Sequence, residues 1–297
     1  MKIKKTPGRI VFEVINTLIM IGLAAVCLAP IIHVVAASFS DPTLLTQNNG
    51  LILWPLSDAT HPLTLKGYKI VFNNNSIIRG YANTIFYVGV GCFLSIMLSA
   101  VTAYCVSRKK TMWLKYLMIM ITVTMFFHGG LIPTFLVVKK LGMVNTRWAI
   151  LIPNAINVFN MIIVRTSFVS LPDSLEESAQ LDGAGHMTIL FKIVLPLTKA
   201  TIAVVALFYA VTKWNEYFNP LIYLTKRPLY PLQVILREIL IESDQSSLSY
   251  DSGSGLDKYK TLVEYCIIVV ATLPILCIYP FIQKYFVTGV MIGSIKG

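Results

Sequence analysis

Six long apolar runs constrain this chain more than any other feature: 11–38, 80–107, 113–138, 147–170, 199–225 and 261–287. A helix needs roughly 20 such residues to cross a hydrocarbon core about 30 Å thick. Within that core each backbone N–H and C=O must find its partner inside the protein, which helices achieve locally. The runs therefore predict an all-α integral membrane protein with six spanning helices. Composition agrees, at 56% hydrophobic and 13% charged residues, where soluble domains are about a quarter charged. The third run is broken by GGLIP at 129–133, and VVKKLGMVNTRW makes a short connection to the fourth.

Basic residues cluster in the tail MKIKKTPGR and at Arg108, Lys109, Lys110 and Lys115. Both clusters place the N-terminus and the second connection on the cytoplasmic side, and an even number of spans brings the C-terminus there too. The first apolar run is nearly twice as long as a signal-peptide core, so an uncleaved span is expected. The organisation that follows is a cytoplasmic tail at 1–10, a six-helix domain at 11–287 and a cytoplasmic tail at 288–297. The outer connections, about 39–79, 139–146 and 226–260, contain loop-forming runs such as TQNNG and DQSSLSYDSGSG.

The net charge of +11 does not indicate nucleic acid, because the bases lie scattered between apolar runs. Five cysteines, at 27, 92, 105, 266 and 277, all fall inside those runs with no C-x-x-C pair. They read as small apolar side chains rather than a metal or disulfide framework. The four histidines lie far apart in sequence. No metal site is expected.

The connection at 171–197, between the fourth and fifth runs, stands apart. It opens LPDSLEE, where Ser174 can cap a helix and Glu177 can reach back to complete a capping box. Gly183 and Gly185 allow a bend, a second short helix follows through Ile189, Leu190 and Ile193, and Pro196 leads into the fifth run. An interfacial helix lying on an anionic leaflet would favour bases. This one carries Asp173, Glu176, Glu177 and Asp182 instead, which suits a protein partner.

The order Glu177-Ser178-Ala179, three residues, Gly183, nine residues, Ile193, one residue, Leu195-Pro196 resembles the EAA loop of bacterial ATP-binding-cassette (ABC) importer permeases. LDGA at 181–184 is similar to the version in carbohydrate-uptake permeases. The likeness extends over nearly the whole chain and is nearest to MalG-like permeases. The stretch at 129–160 and the ending FIQKYFVTGVMIGSIKG resemble the LplC/YtcP-like branch. The resemblance implies a type I (MetI-like) six-helix permease fold in the bacterial cell membrane. It implies a second, non-identical permease, two ATPase subunits that use ATP and Mg, an extracytoplasmic solute-binding lipoprotein and an oligosaccharide cargo. In that family the loop is the coupling helix that docks on the ATPase. By correspondence Glu176, Glu177, Ser178, Ala179, Asp182, Gly183, Ala184, Ile193, Leu195 and Pro196 would form it. This chain has no G-x4-G-K-[ST] loop, as a separate motor subunit requires.

WNEYFNPLIYL at 214–224 sets Trp214, Asn215, Glu216, Tyr217 and Asn219 inside the fifth run. Intramembrane polar residues line pathways or lock helices together, and aromatic residues also form interface belts. All three roles are open to this stretch. Asn83 and Thr84 read as helix-packing residues. The family likeness further implies that the tail, with Gly293, Ser294 and Lys296, threads between the ATPase subunits. The outer connections carry more bases than acids, which mildly favours an acidic saccharide. An integral-membrane enzyme acting on lipid-linked sugars is the competing class. It would need an acid, histidine or metal constellation that the spacing of the inner acids does not offer.

Overall fold

The computed structural model describes residues 7–48, 50–58, 62–108, 113–246 and 259–294, and only the backbone for 242–246, 278, 279 and 281–294. The helices in chain order are α1 (Pro7–Ser38), α2 (Pro42–Gln47), α3 (Lys66–Asn73), α4 (Asn75–Ser107), α5 (Leu114–Phe126), α6 (Leu131–Lys140), α7 (Trp148–Leu151) and α8 (Val158–Val169). They continue with α9 (Asp173–Leu181), α10 (His186–Ile189), a π-helical turn (Leu190–Val194), α11 (Leu195–Leu197), α12 (Lys199–Trp214), α13 (Phe218–Tyr223), α14 (Leu232–Ser246) and α15 (Lys260–Ser294). Among the described residues there is no β-strand.

Each apolar run carries helix, but not every run is one helix. By length and composition α1, α4 and the 260–277 part of α15 can each cross a membrane. Counting each sharply bent pair as one span gives up to five. The third run is two helices, α5 and α6, meeting at 110°. Between them Gly130 takes φ +82°, a left-handed conformation that glycine adopts without steric cost. The fourth run divides into α7 and the 12-residue α8. Pro153 lacks the N–H that would carry the first helix onward. Asn157 then starts the second, its side chain accepting from the Asn160 N–H at 3.1 Å. The fifth run stops after Trp214 and resumes at Phe218. There the Asn215 amide donates to the Val211 carbonyl at 2.9 Å, and Pro220 has no N–H to offer Glu216. Irregular backbone at membrane depth is tolerated where protein covers it or a cavity meets it. At the far end, α15 runs on to Ser294, so the tail expected from 288 is helical over most of its length.

The chain divides into two compact units, Met1–Asn74 with Glu238–Leu273 and Asn75–Arg237 with Pro274–Gly297. In the first, α1 exposes apolar side chains around its circumference, among them Phe12, Leu18 and Val26, as a lipid-facing helix does. Its last turn is buried. There the Ser38 hydroxyl meets Tyr68 Oη at 2.8 Å, and Gly67 leaves room for Cys266 and Leu262. His33 Nδ1 accepts from the Ile52 N–H at 2.9 Å, which leaves Nε2 to donate to Tyr265 Oη at 3.2 Å.

In the second unit α4 is the axis, packed against α8 and α12. Its buried residues include every fourth position from one end to the other: Asn83, Tyr87, Gly91, Ser95, Ser99, Ala103 and Ser107. From Gly91 onward these are all small, so neighbouring backbones can approach closely. A four-residue step overshoots one turn by about 40°, so the stripe winds around the helix. That winding lets one helix meet different partners along its length. Asn83 donates to the Pro228 and Tyr230 carbonyls at 2.8 and 3.0 Å, and Tyr87 Oη donates to the Leu229 carbonyl at 2.9 Å. Ser99 meets Tyr209 Oη of α12 at 2.7 Å, and that hydroxyl also accepts from the Asn157 N–H at 3.0 Å. Arg165 of α8 donates to the Val106 carbonyl at 2.9 Å. Met161, Val164, Phe168, Ile189, Leu190 and Val205 fill the core between these helices.

Candidate functional site

Two places in the second unit gather the residues singled out by sequence: the elbow at 171–197 and the break in the fifth run. In the elbow, α9 begins after Pro172, which is extended (φ −60°, ψ 130°) and makes no side-chain cap. Ser174 lies inside the first turn, so the expected capping box with Glu177 is not formed. Asp173 and Glu176 occupy that turn instead, where the helix dipole favours acids.

The end of α9 explains the glycine. Gly183 has φ +80°, and its N–H donates to the Gln180 carbonyl at 3.0 Å, while the Ala184 N–H reaches back to the Ala179 carbonyl at 2.9 Å. These two bonds form a Schellman motif, which needs a left-handed residue at the position Gly183 holds. Ala179 and Ala184 both turn toward the core, the apolar contact that accompanies this motif. Gly185 has φ −74°, ordinary backbone, so the bend expected from both glycines is the work of Gly183. Beyond it, Pro196 cannot donate to the Lys192 carbonyl, and the turn before it widens to π geometry. At Thr198 the chain turns by 86° into α12, with the Thr198 hydroxyl on the Val194 carbonyl at 2.8 Å.

Side chains of the elbow sort by face. Ile189, Leu190 and Val194 are buried, and Leu195 packs on the same core. Ile193 is half-buried. Glu177, Ser178, Asp182, Gly183 and Pro196 are exposed, and beside them Leu181 is 89% exposed and Met187 62%.

A residue that sequence reading used only for orientation anchors this knob. Arg108, just past α4, forms an ion pair with Glu176. Its guanidinium lies 4.3 Å from the Tyr104 ring centroid. Burial lowers the Arg108 pKa from its ordinary value, opposed by Tyr104 and Asp173. Arg108 Nε and Nη2 are buried without a hydrogen-bond partner among the described residues. His186 sets its ring edge-on to Tyr104 at 6.4 Å, so both helices of the elbow touch the end of α4. An arginine next to a basic run gives no sequence signal that it will turn back onto an acid 68 positions later.

The break at Asn215–Tyr217 opens onto a cavity of about 660 Å³, lined by Asn215, Glu216, Tyr217 and Asn219 together with His128, Asn154, Asn157, Asn160 and Lys213. Trp214 does not join them. It packs on Tyr81 with ring centroids 6.2 Å apart and faces a neighbouring apolar cavity of about 650 Å³. The Asn219 amide donates to Glu216 Oε1 at 2.6 Å, and Arg237 lies 5.5 Å from the Tyr217 ring centroid. Lys213 is only 7% exposed, yet it lines this cavity. Among the described residues no cluster of His, Cys, Asp and Glu is arranged to hold a metal ion.

Residues 72–292 match the family of binding-protein-dependent transport system inner membrane components. The chain belongs to that family. It is a permease subunit of an ABC importer, which moves its cargo and does not alter it. It is 41% identical, over 94% of its length and 96% of the relative's, to the polygalacturonan/rhamnogalacturonan transport system permease protein YtcP of Bacillus subtilis (strain 168). It is 38% identical to protein LplC of the same organism, over 97% and 95% of the two chains. Its fold is similar to a crystal structure of a bacterial ABC transporter involved in the import of the acidic polysaccharide alginate. The TM-score is 0.84 at 31% identity, over 96% of this chain and all of that one.

Proposed function

We propose that this permease is half of the membrane pathway of an oligosaccharide importer, and that its cargo is an acidic, uronate-containing saccharide. The other half is a second, non-identical permease. Two ATPase subunits bind ATP and Mg on the cytoplasmic side, and a solute-binding lipoprotein delivers cargo from outside. Both chain termini and the elbow at 171–197 face the cytoplasm, as the basic residues at the N-terminus and after α4 favour. The elbow fits a cleft of one ATPase and turns its closure into tilting of α4 and α12. The observation that carries this role is the Schellman turn at Gly183. It holds α9 and α10 at a set angle while leaving Leu181 and Met187 exposed. Such an object transmits force without reactive groups.

The break at Asn215–Tyr217 lines the pathway, in preference to packing or belt roles, because its three residues and Asn219 meet in one cavity. Its amides suit sugar hydroxyls, and Tyr217 offers an aromatic face to the apolar side of a sugar ring. The acidic cargo is supported by two similar transport systems, one for polygalacturonan/rhamnogalacturonan and one for alginate. Gly293 and Ser294 end α15, where contact with the ATPases is the proposed role. Lys296, assigned the same role, lies outside the described residues.

Reconstitution tests this directly. Vesicles carrying the whole complex, supplied with lipoprotein and ATP, should take up labelled trigalacturonate. Uptake of a neutral trisaccharide alone would refute the acidic cargo, and no ATP-driven uptake of either would refute the importer for saccharides.

A further inference from the structure

We propose that Lys213 is the specificity-determining cation of the pathway, reading a carboxylate of the saccharide as it crosses the membrane; this rests on the acidic-cargo reading above. A lysine inside an apolar helix, more than nine-tenths buried, ordinarily sits against an acid. Among the described residues Lys213 has neither an ion pair nor a side-chain hydrogen bond. The nearest acid in its own turn, Glu216, is held by Asn219 at 2.6 Å instead.

The space for Lys213 is built by the facing helix. A Cβ placed on Gly91 would come within 2.7 Å of Lys213 Cδ, 2.8 Å of Cε and 3.1 Å of Nζ. Gly91 belongs to the small-residue stripe of α4, and there the missing side chain forms a groove for the lysine stem. The stem and Nζ both lie against α4 at Gly91, and the residue also lines the polar cavity. A point charge with three donors, on a cavity that Asn157 and Asn160 also line, is suited to a carboxylate passing along it. A neutral sugar would bring that charge no counter-ion of its own.

The test compares trigalacturonate with its methyl ester, which has the same shape without the charges, in vesicles carrying the full complex. The ratio of the two uptake rates is taken within each variant, so differences in assembly cancel. In wild type the free acid should be favoured. Lys213→Met should lower that ratio about tenfold, the scale of one charged hydrogen bond. Lys213→Arg should keep most of it, and Gly91→Ala, which crowds the stem, should fall between. An unchanged ratio in Lys213→Met, or failure of that variant to assemble with the second permease, would make Lys213 a packing residue and overturn the proposal. If wild type carries neither compound, or shows no preference for the acid, the acidic-cargo reading fails first and this inference falls with it.

Discussion

The elbow at 171–197 and the break at 215–217 are both interruptions of helix beside strongly apolar segments, and they are built on opposite principles. In the elbow the N–H groups after Leu181 return to the end of α9, the apolar side chains reach the core, and Glu176 is paired with Arg108. Its turn is closed by backbone hydrogen bonds, and its outer face is exposed. In the break, polar side chains converge on a cavity, and a buried lysine there has no ion pair among the described residues. Burying such a group costs about 2.5–3.5 kcal/mol on insertion scales. On the proposed function, the part that transmits motion is closed by its own backbone, whereas the part that selects cargo is left for the cargo to complete.

Damage to the backbone of the elbow should have the largest effect. Proline at Gly183 fixes φ near −65° where +80° is needed and deletes the bond to Gln180. Gly183→Pro should insert normally but lower ATP-driven uptake at least a hundredfold. Gly183→Ala costs about 1–2 kcal/mol of left-handed strain, so a loss of roughly tenfold is expected. Next comes the anchor. The Arg108–Glu176 pair is only partly exposed, and its loss should weaken the seat of α9 by about 1–2 kcal/mol after allowance for solvent. Arg108→Ala should therefore uncouple ATP hydrolysis from uptake by about tenfold. Arg108→Lys should rescue little, because a lysine lacks both the fork and the stacking face.

Smaller effects separate packing from coupling. Asn83→Ala leaves two carbonyls, of Pro228 and Tyr230, without their donor. Stability in detergent should fall by about 1–3 kcal/mol, seen as a lower Tm, with the acid-to-ester uptake ratio unchanged. The least effect is expected from Ser174→Ala. Because Ser174 makes no cap, helicity and uptake should change by less than about 0.5 kcal/mol, whereas a true N-cap would cost about 1 kcal/mol.

Much of this was legible in the sequence because apolar length and glycine spacing have few physical solutions. The existence of helix in each run, and the elbow itself, followed from 20-residue runs and from a glycine six positions after Glu177. Breaks were harder to read. Pro153, Pro220 and Asn215 lie in runs whose hydropathy is continuous, so local loss of an N–H does not register in an average taken along the run. The capping box is not formed because Pro172, extended and just ahead of Asp173, holds the cap position two residues before Ser174. The contacts of Arg108, Gly91 and Lys213 could not be read. Their meaning lies in contacts between helices far apart in sequence, and only folding brings those residues together.

The central claim, that a stiff cytoplasmic elbow carries the motor's stroke into the membrane, is tested most directly by a photo-crosslinking residue at Leu181 in the assembled complex. It should capture an ATPase subunit from the cytoplasmic side, with a yield that changes when ATP binds. A probe reached only from the outer medium, or one that never yields an ATPase adduct in any nucleotide state, would contradict it.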